Sequence, residues 1–280
     1  MRPPRDPSLE PTRGPAYHLR VIEPRCTSES AHLAEVFSAI QGEGTVVGER
    51  QVFVRFLECH IRCPYCDTPD QDPKKVTPRL ERTAGRRDWE FAANPIPAAT
   101  ILDAILRLQS HGRLHRWVSF TGGEPLWYWP MIEHLAPALR ARDLQVYLET
   151  DGLLPDELAK VARMVDLCAM DAKLHWKRHD LLDRDATLAF VATLRALATP
   201  YFVKVVVPAG VSRVPFLGAI GELARATGGE VPLVLQPVTP YGVVKETPAP
   251  AEMLELHELA SAVYPACRVV PQVHKLIGQL

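Results

Sequence analysis

The run Glu58-Cys59-His60-Ile61-Arg62-Cys63-Pro64-Tyr65-Cys66 places three cysteines at C-x3-C-x2-C spacing. Thiolates this close together serve a single metal centre. Structural zinc sites and protein-held iron–sulfur clusters generally take four protein ligands. Three thiolates leave a position open, so a [4Fe–4S] cluster held this way keeps one iron free for an outside ligand. Taken alone, the triplet equally allows a zinc site completed by His60 or a distant histidine. Cys26, Cys168 and Cys267 are scattered and read as buried or idle thiols.

Two other groups stand near the triplet in sequence. Thr121-Gly122-Gly123-Glu124-Pro125 follows the run Val118-Ser119-Phe120. Paired glycines after a strand let the backbone approach a ligand closely, and their amides and carbonyls can hold a charged amino-acid group. By itself this is also an ordinary strand-to-helix turn. Upstream, Gln41-Gly42-Glu43-Gly44 lies on a turn after an expected edge strand. Arg55 sits on the strand leading to Cys59, and Thr68 follows Cys66 directly in Cys66-Asp67-Thr68. A surface turn, a snorkelling arginine and a helix N-cap are the plainer alternatives for these three.

The elements that must position these groups follow a regular pattern. Strands are expected over Val52–Leu57, Trp117–Phe120, Gln145–Glu149, Leu167–Met170, Phe202–Val207 and Leu233–Gln236. Helical windows separate them, which signals βαβ units and a parallel sheet. Thr100-Ile101-Leu102-Asp103 opens a helix in the manner of a capping box. Pro155 and Pro250 each mark a first helical residue, followed by the acids Asp156, Glu157 and Glu252. An α/β fold, a partial or open (βα)6 TIM-like barrel, fits these six units. Chemistry in such barrels gathers after the C-terminal ends of the strands, where the cysteine run falls. Leu33–Ile40 alternates like a further strand, and order is expected to begin near His32. Residues 1–31 are expected to form a disordered proline-rich tail, and 32–280 a single domain with an insertion at about 69–97.

Hydrophobic residues make up 47% of the 280 and charged residues 23%, with a formal net charge of -1. That balance suits a globular protein and gives no electrostatic reason to bind nucleic acid. No apolar run approaches the roughly 18 residues of a membrane span, and the first residues lack a signal-peptide core. The cysteine pattern is not a secreted disulfide framework, so a reducing cytoplasm is expected.

The cysteine spacing, with Tyr65 before the third cysteine and the Gly122-Gly123 turn one strand later, resembles the radical S-adenosylmethionine (SAM) superfamily. In that superfamily SAM chelates the open iron and is cleaved to a 5′-deoxyadenosyl radical. Ile40-Gln41-Gly42-Glu43-Gly44, Val54-Arg55-Phe56 and Cys66-Asp67-Thr68 further resemble the 7-carboxy-7-deazaguanine synthase family. So do Leu148-Glu149-Thr150-Asp151-Gly152, Leu235-Gln236-Pro237-Val238-Thr239-Pro240 and Val273-His274-Lys275-Leu276.

That resemblance implies a radical SAM lyase on the route to queuosine and related 7-deazaguanines. It would contract the pterin ring of 6-carboxy-5,6,7,8-tetrahydropterin to a pyrrolopyrimidine, with loss of ammonia. It implies a [4Fe–4S] cluster on Cys59, Cys63 and Cys66, SAM, Mg2+ on Thr68, a flavodoxin- or ferredoxin-type reductant and a homodimer. Ile40, Gln41, Gly42, Glu43, Arg55 and Thr121 would contact substrate, Glu43 at the pyrimidine edge and Arg55 at the carboxylate. Tyr65, Cys66, Asp67, Gly122, Gly123, Glu124, Asp171, Ala172, Lys173 and Gln236 would contact SAM. No side chain acts as a catalyst itself, because the cofactor carries the radical.

The sequence departs from the family pattern in three places. The family usually has Gly-Cys-Asn at Glu58-Cys59-His60, commonly Asn at Asp151, and Ser-Pro-Lys at Asp171-Ala172-Lys173. None removes a cluster ligand. Two other functions share part of the pattern: a glycyl-radical activating enzyme acting on a protein, and a zinc-binding scaffold. Neither needs Gln41, Glu43, Arg55 and Thr68 together.

Overall fold

A computed structural model describes residues 23–68, 72–109 and 114–279. The first elements are β1 (Ser30–Ala31), β2 (Leu33–Ile40), β3 (Arg50–Phe56), β4 (Arg79–Glu81), β5 (Trp89–Phe91) and β6 (Ile96–Pro97). Helix α1 (Ala98–Arg107), β7 (Trp117–Gly122), α2 (Trp129–Arg140), β8 (Gln145–Thr150), α3 (Pro155–Val161) and β9 (Leu167–Asp171) follow. The chain continues through α4 (Arg184–Ala196), β10 (Tyr201–Val207), α5 (Arg213–Thr227), β11 (Leu233–Pro237) and α6 (Pro250–Val263). It ends with β12 (Cys267–Val269) and the short helix α7 (Val273–Leu276).

Ten strands form one sheet in the order β12-β11-β10-β9-β8-β7-β3-β2-β4-β5. The pairs from β3 through β7, β8, β9, β10 and β11 to β12 are all parallel. The six expected parallel strands are therefore present, with β12 as a seventh. No pairing joins β12 to β5 among the described residues, so the sheet stays an open barrel wall.

Strand alternation decides which residues face the helices and which face inward. Val54, Phe56, Val118, Phe120, Val146, Leu148, Val203 and Leu235 belong to the large apolar core against the helices. The opposite parity begins with an apolar floor of Trp117, Tyr147, Ala169, Phe202 and Val234. Two residues further along the same strands stand Ser119, Glu149, Asp171, Lys204 and Gln236, a polar layer above that floor. A cleft opens there, at the C-terminal ends of the strands.

Pro155 and Pro250 occupy the first turns of α3 and α6, as expected. Helix α1 starts at Ala98, two residues before the expected Thr100, with Pro97 in the capping position. Strand β2 is not an edge strand. The segment expected to be irregular supplies β4 and β5, which extend the sheet beyond β2. Order also begins before His32. The Arg25 amide donates to the Trp127 carbonyl at 2.9 Å, and β1 pairs with β6. Residues 1–22 and 69–71, parts of the expected tail and insertion, lie outside the described residues.

Candidate active site

The cleft is bordered by Cys59, Cys63 and Cys66, by the Gln41–Glu43 turn, and by inward residues of β3 and β7 to β11. Every residue expected to touch substrate borders it: Ile40, Gln41, Gly42, Glu43, Arg55 and Thr121. So do Tyr65, Asp67, Thr68, Gly122, Gly123, Asp171, Lys173 and Gln236. Two expected SAM contacts do not. Ala172 has the parity that points into the helix-side core and is buried there. Glu124 is buried and bound to its own surroundings: it accepts from the Leu126 amide at 2.9 Å, the Thr150 hydroxyl at 2.8 Å and the Asp151 amide at 2.9 Å. Burial and the neighbouring Asp151 carboxylate push Glu124 up to about 8. It ties the β7 turn to the end of β8.

The Gly122-Gly123 turn has a structural partner that the sequence did not indicate. The Gly123 amide donates to the Phe56 carbonyl at 3.0 Å, and the Glu124 amide to the Glu58 carbonyl at 2.8 Å. A Cβ on either glycine would collide with the backbone of Phe56 or Glu58. These glycines let the β7 turn dock against the start of the cysteine loop and so fix where Cys59 emerges. Glu58 takes a left-handed φ of 62°, which suits the glycine usual there. Its carboxylate accepts from the Tyr128 hydroxyl at 2.9 Å and lies 3.3 Å from His32 Nδ1. At the loop's far end, Tyr65 packs with Trp176, Val206, Val238 and Val244. The Lys173 ammonium lies 5.5 Å from its ring centre.

Two departures from the family pattern are partners of one another. His60 Nε2 and Asp151 Oδ2 lie 2.5 Å apart, and the His60 ring meets Trp127 edge-on. His60 does not border the cleft. Burial pulls its pKa down, but the bond to Asp151 and that carboxylate's charge outweigh burial and raise it. An ion pair thus joins the cysteine loop to the end of β8.

The polar layer contains residues that the sequence reading missed. Lys204 Nζ lies 2.5 Å from Glu43 Oε2 and 3.3 Å from Asp171 Oδ2, which also accepts from Lys173 Nζ at 2.8 Å. Gln272 Nε2 donates to Glu43 Oε1 at 2.6 Å. Burial acts to raise Glu43, but Lys204 and the bonds from Lys204 and Gln272 outweigh it and hold the carboxyl at about 2. Gln41 Nε2 donates to Glu149 Oε1 at 2.7 Å, its Oε1 accepts from the Glu43 amide at 3.0 Å, and Thr121 donates to Glu149 Oε2 at 2.7 Å. Gly42 leaves room for His274, and its carbonyl accepts from the Val273 amide at 2.9 Å, bringing the C-terminal segment over the cleft. A lone lysine in the apolar run Val203-Lys204-Val205 was the available signal for Lys204.

Thr68 lies on a bend, the last described residue before position 72. Among the described residues its hydroxyl makes a long 3.5 Å contact to the Gly122 carbonyl, and it borders the cleft, where its oxygen can meet a hard cation. The groups implied by the resemblance suit the residues present. Three unbridged thiols face one cleft. Burial pushes the Cys59 and Cys63 thiols up, so iron binding must displace their protons. Asp171 Oδ1 and Gln236 Oε1 are buried at the cleft with no partner among the described residues, as acceptors awaiting a polar ligand would be. Cys26 and Cys267 are pushed up to about 11 by burial, Cys168 is buried, and none of the three borders the cleft.

Residues 54–174, from β3 through the end of β9, match the Radical SAM superfamily. The chain is 37% identical over 257 residues to the 7-carboxy-7-deazaguanine synthase of Geobacter sulfurreducens, covering 89% of this chain and 98% of that one. It is 33% identical over 247 residues to the enzyme of the same name from Methanopyrus kandleri, covering 87% and 92%. The crystal structure of QueE from Escherichia coli shares the fold, with a TM-score of 0.52 at 20% identity over 87% of this chain and 94% of that one. The chain belongs to the 7-carboxy-7-deazaguanine synthase family.

Proposed function

We propose that this protein is a radical SAM lyase that converts 6-carboxy-5,6,7,8-tetrahydropterin to 7-carboxy-7-deazaguanine and ammonia. The observation that carries the reading is the meeting, in one cleft, of three cysteines with Glu43, Arg55 and Thr68. A protein-activating enzyme has no use for such a small polar pocket beside its cluster.

Cys59, Cys63 and Cys66 would hold the [4Fe–4S] cluster, which with SAM supplies the one-electron chemistry that removes a hydrogen atom from the pterin. Asp171, Lys173 and Gln236 would hold SAM, the unpartnered Asp171 and Gln236 oxygens accepting its donors. Glu43 would read the guanine-like edge. Lys204 and Gln272 take one lone pair on each Glu43 oxygen, and the second pair on each remains for adjacent N–H groups of the pterin. Gln41 and Thr121 are fixed on Glu149 and would orient the ring. Arg55 would grip the substrate carboxylate, and Thr68 would offer its hydroxyl to Mg2+. A flavodoxin- or ferredoxin-type reductant, a homodimeric state and a cytoplasmic location complete the reading. No helix among the described residues is long and apolar enough to cross a membrane.

Anaerobic turnover with 6-carboxytetrahydropterin, SAM, reductant and Mg2+ tests the proposal. The protein should carry about four irons and four sulfides and release 7-carboxy-7-deazaguanine. One zinc and no product would refute it. Thr68→Val should remove most of the stimulation of turnover by Mg2+ while iron content and melting temperature stay unchanged, because valine matches the shape but lacks the oxygen. Magnesium stimulation equal to wild type would exclude Thr68 as a ligand.

A further inference from the structure

Strand β4 brings a second guanidinium to the residue that holds Arg55. Strands β3, β2 and β4 lie side by side, and their registers set Arg55 opposite Glu35 and Glu35 opposite Arg79. Glu35 is almost wholly buried. Its Oε1 accepts from Arg55 Nε at 2.8 Å, and its Oε2 lies 2.6 Å from the Arg79 guanidinium. Arg79 is fixed from the other side by the Trp89 ring of β5, with its guanidinium carbon 4.5 Å from the ring centre. Only Arg55 of the three borders the cleft.

The charges on this ladder determine what Arg55 can do. Arg55 and Glu35 alone form a neutral pair, and a neutral pair has little attraction for an anion. Two guanidiniums on one carboxylate carry a net positive charge, which is left on the cleft side. Asp67, a second carboxylate close enough to interact with Arg55 among the described residues, has its own cation, with Lys275 Nζ 2.5 Å from its Oδ2. We infer that strands β4 and β5 form a specificity element for the substrate carboxylate, in which Arg79 neutralises Glu35 and leaves the charge of Arg55 for the ligand. Arg79 touches no substrate and acts through Glu35. The inference rests on the reading of Arg55 as the carboxylate grip.

Binding of 6-carboxypterin and of unsubstituted pterin to the anaerobically reconstituted holoenzyme, followed by pterin fluorescence, tests it. Taking the ratio of the two affinities within each variant cancels any loss of folded protein. Arg79→Gln should weaken 6-carboxypterin about tenfold, the scale of one nearby charge, and leave pterin unchanged. Arg79→Lys should bind both ligands like wild type. Adding Glu35→Gln to Arg79→Gln removes the opposing charge and should restore the preference for the carboxylate. The loss should shrink as salt is raised. If the glutamine variant does not accumulate, Arg79→Met makes the same change of charge. An unchanged ratio in the neutral variants, or a double variant as poor as the single one, overturns the inference. Failure of the underlying reading shows separately, as an Arg55→Ala variant that still prefers 6-carboxypterin.

Discussion

Gly123→Ala is expected to strip the protein of its iron as completely as replacing Cys59, Cys63 or Cys66, although Gly123 is no ligand. A Cβ at Gly123 would fall far inside van der Waals contact with the Glu58 carbonyl, a backbone atom that cannot rotate away. That carbonyl accepts from the Glu124 amide, and the Glu58 side chain is held by Tyr128. Phe56 and Leu57, just before it, are wholly buried. Overpacking inside a core costs roughly 1–3 kcal/mol even where side chains can adjust, and a backbone-on-backbone clash is worse. Relief requires the cysteine loop to move off the β7 turn, which carries Cys59 away from Cys63 and Cys66. Iron and sulfide per chain after anaerobic reconstitution, with the melting temperature, are the measurements. Gly218→Ala is the matched control: it lies inside α5 with open space around it, so it should keep its iron and gain about 0.5–1 kcal/mol. Full iron loading in Gly123→Ala would show that the turn does not position the loop.

The sequence revealed most where chemistry and periodicity coincide. Cysteine spacing is local, so it could be read before any fold was known. The parallel strands announce themselves as β-branched runs, and alternation within them puts Glu149, Asp171, Lys204 and Gln236 on one face. Partners distant in sequence could not be read in this way. Nothing in Glu58-Cys59-His60 indicates that His60 meets Asp151, whereas the same alternation that turns Asp171 inward turns Ala172 into the core. Strand β2 looked like an edge because its polar residues alternate with apolar ones. In the fold those residues are buried: Glu35 lies between two arginines, and Ser38 is held by His115 and Glu81. The short strands β4 and β5 that cover this edge have too few residues for a period to register.

Lys204→Met should make pterin binding depend on pH while cluster assembly and SAM binding persist. Lys204 and Glu43 are both largely shielded from solvent, and Lys204 is the strongest influence holding Glu43 down against burial. Breaking such a pair from one side costs roughly 3–5 kcal/mol, and the stranded carboxyl reduces this cost by taking up a proton. With Lys204 gone, burial dominates and the Glu43 pKa rises above its ordinary 4.5. Protonated, Glu43 loses an acceptor that the pterin N–H groups need, so affinity falls as pH falls through the raised value. The wild type, with Glu43 ionised at every pH above about 2, should bind pterin with no such dependence. Stability follows the same signs. In the wild type the Glu43 contribution is present above 4.5 and lost as pH falls toward about 2. In the variant stability is instead lost as pH rises through the raised value. Asp171 keeps Lys173 at 2.8 Å, so the SAM side retains its cation. Lys204→Arg keeps the charge and should remain nearly independent of pH. Pterin affinity measured across pH in the three proteins decides the matter: a flat profile of wild-type strength in Lys204→Met would remove Glu43 from the pyrimidine edge.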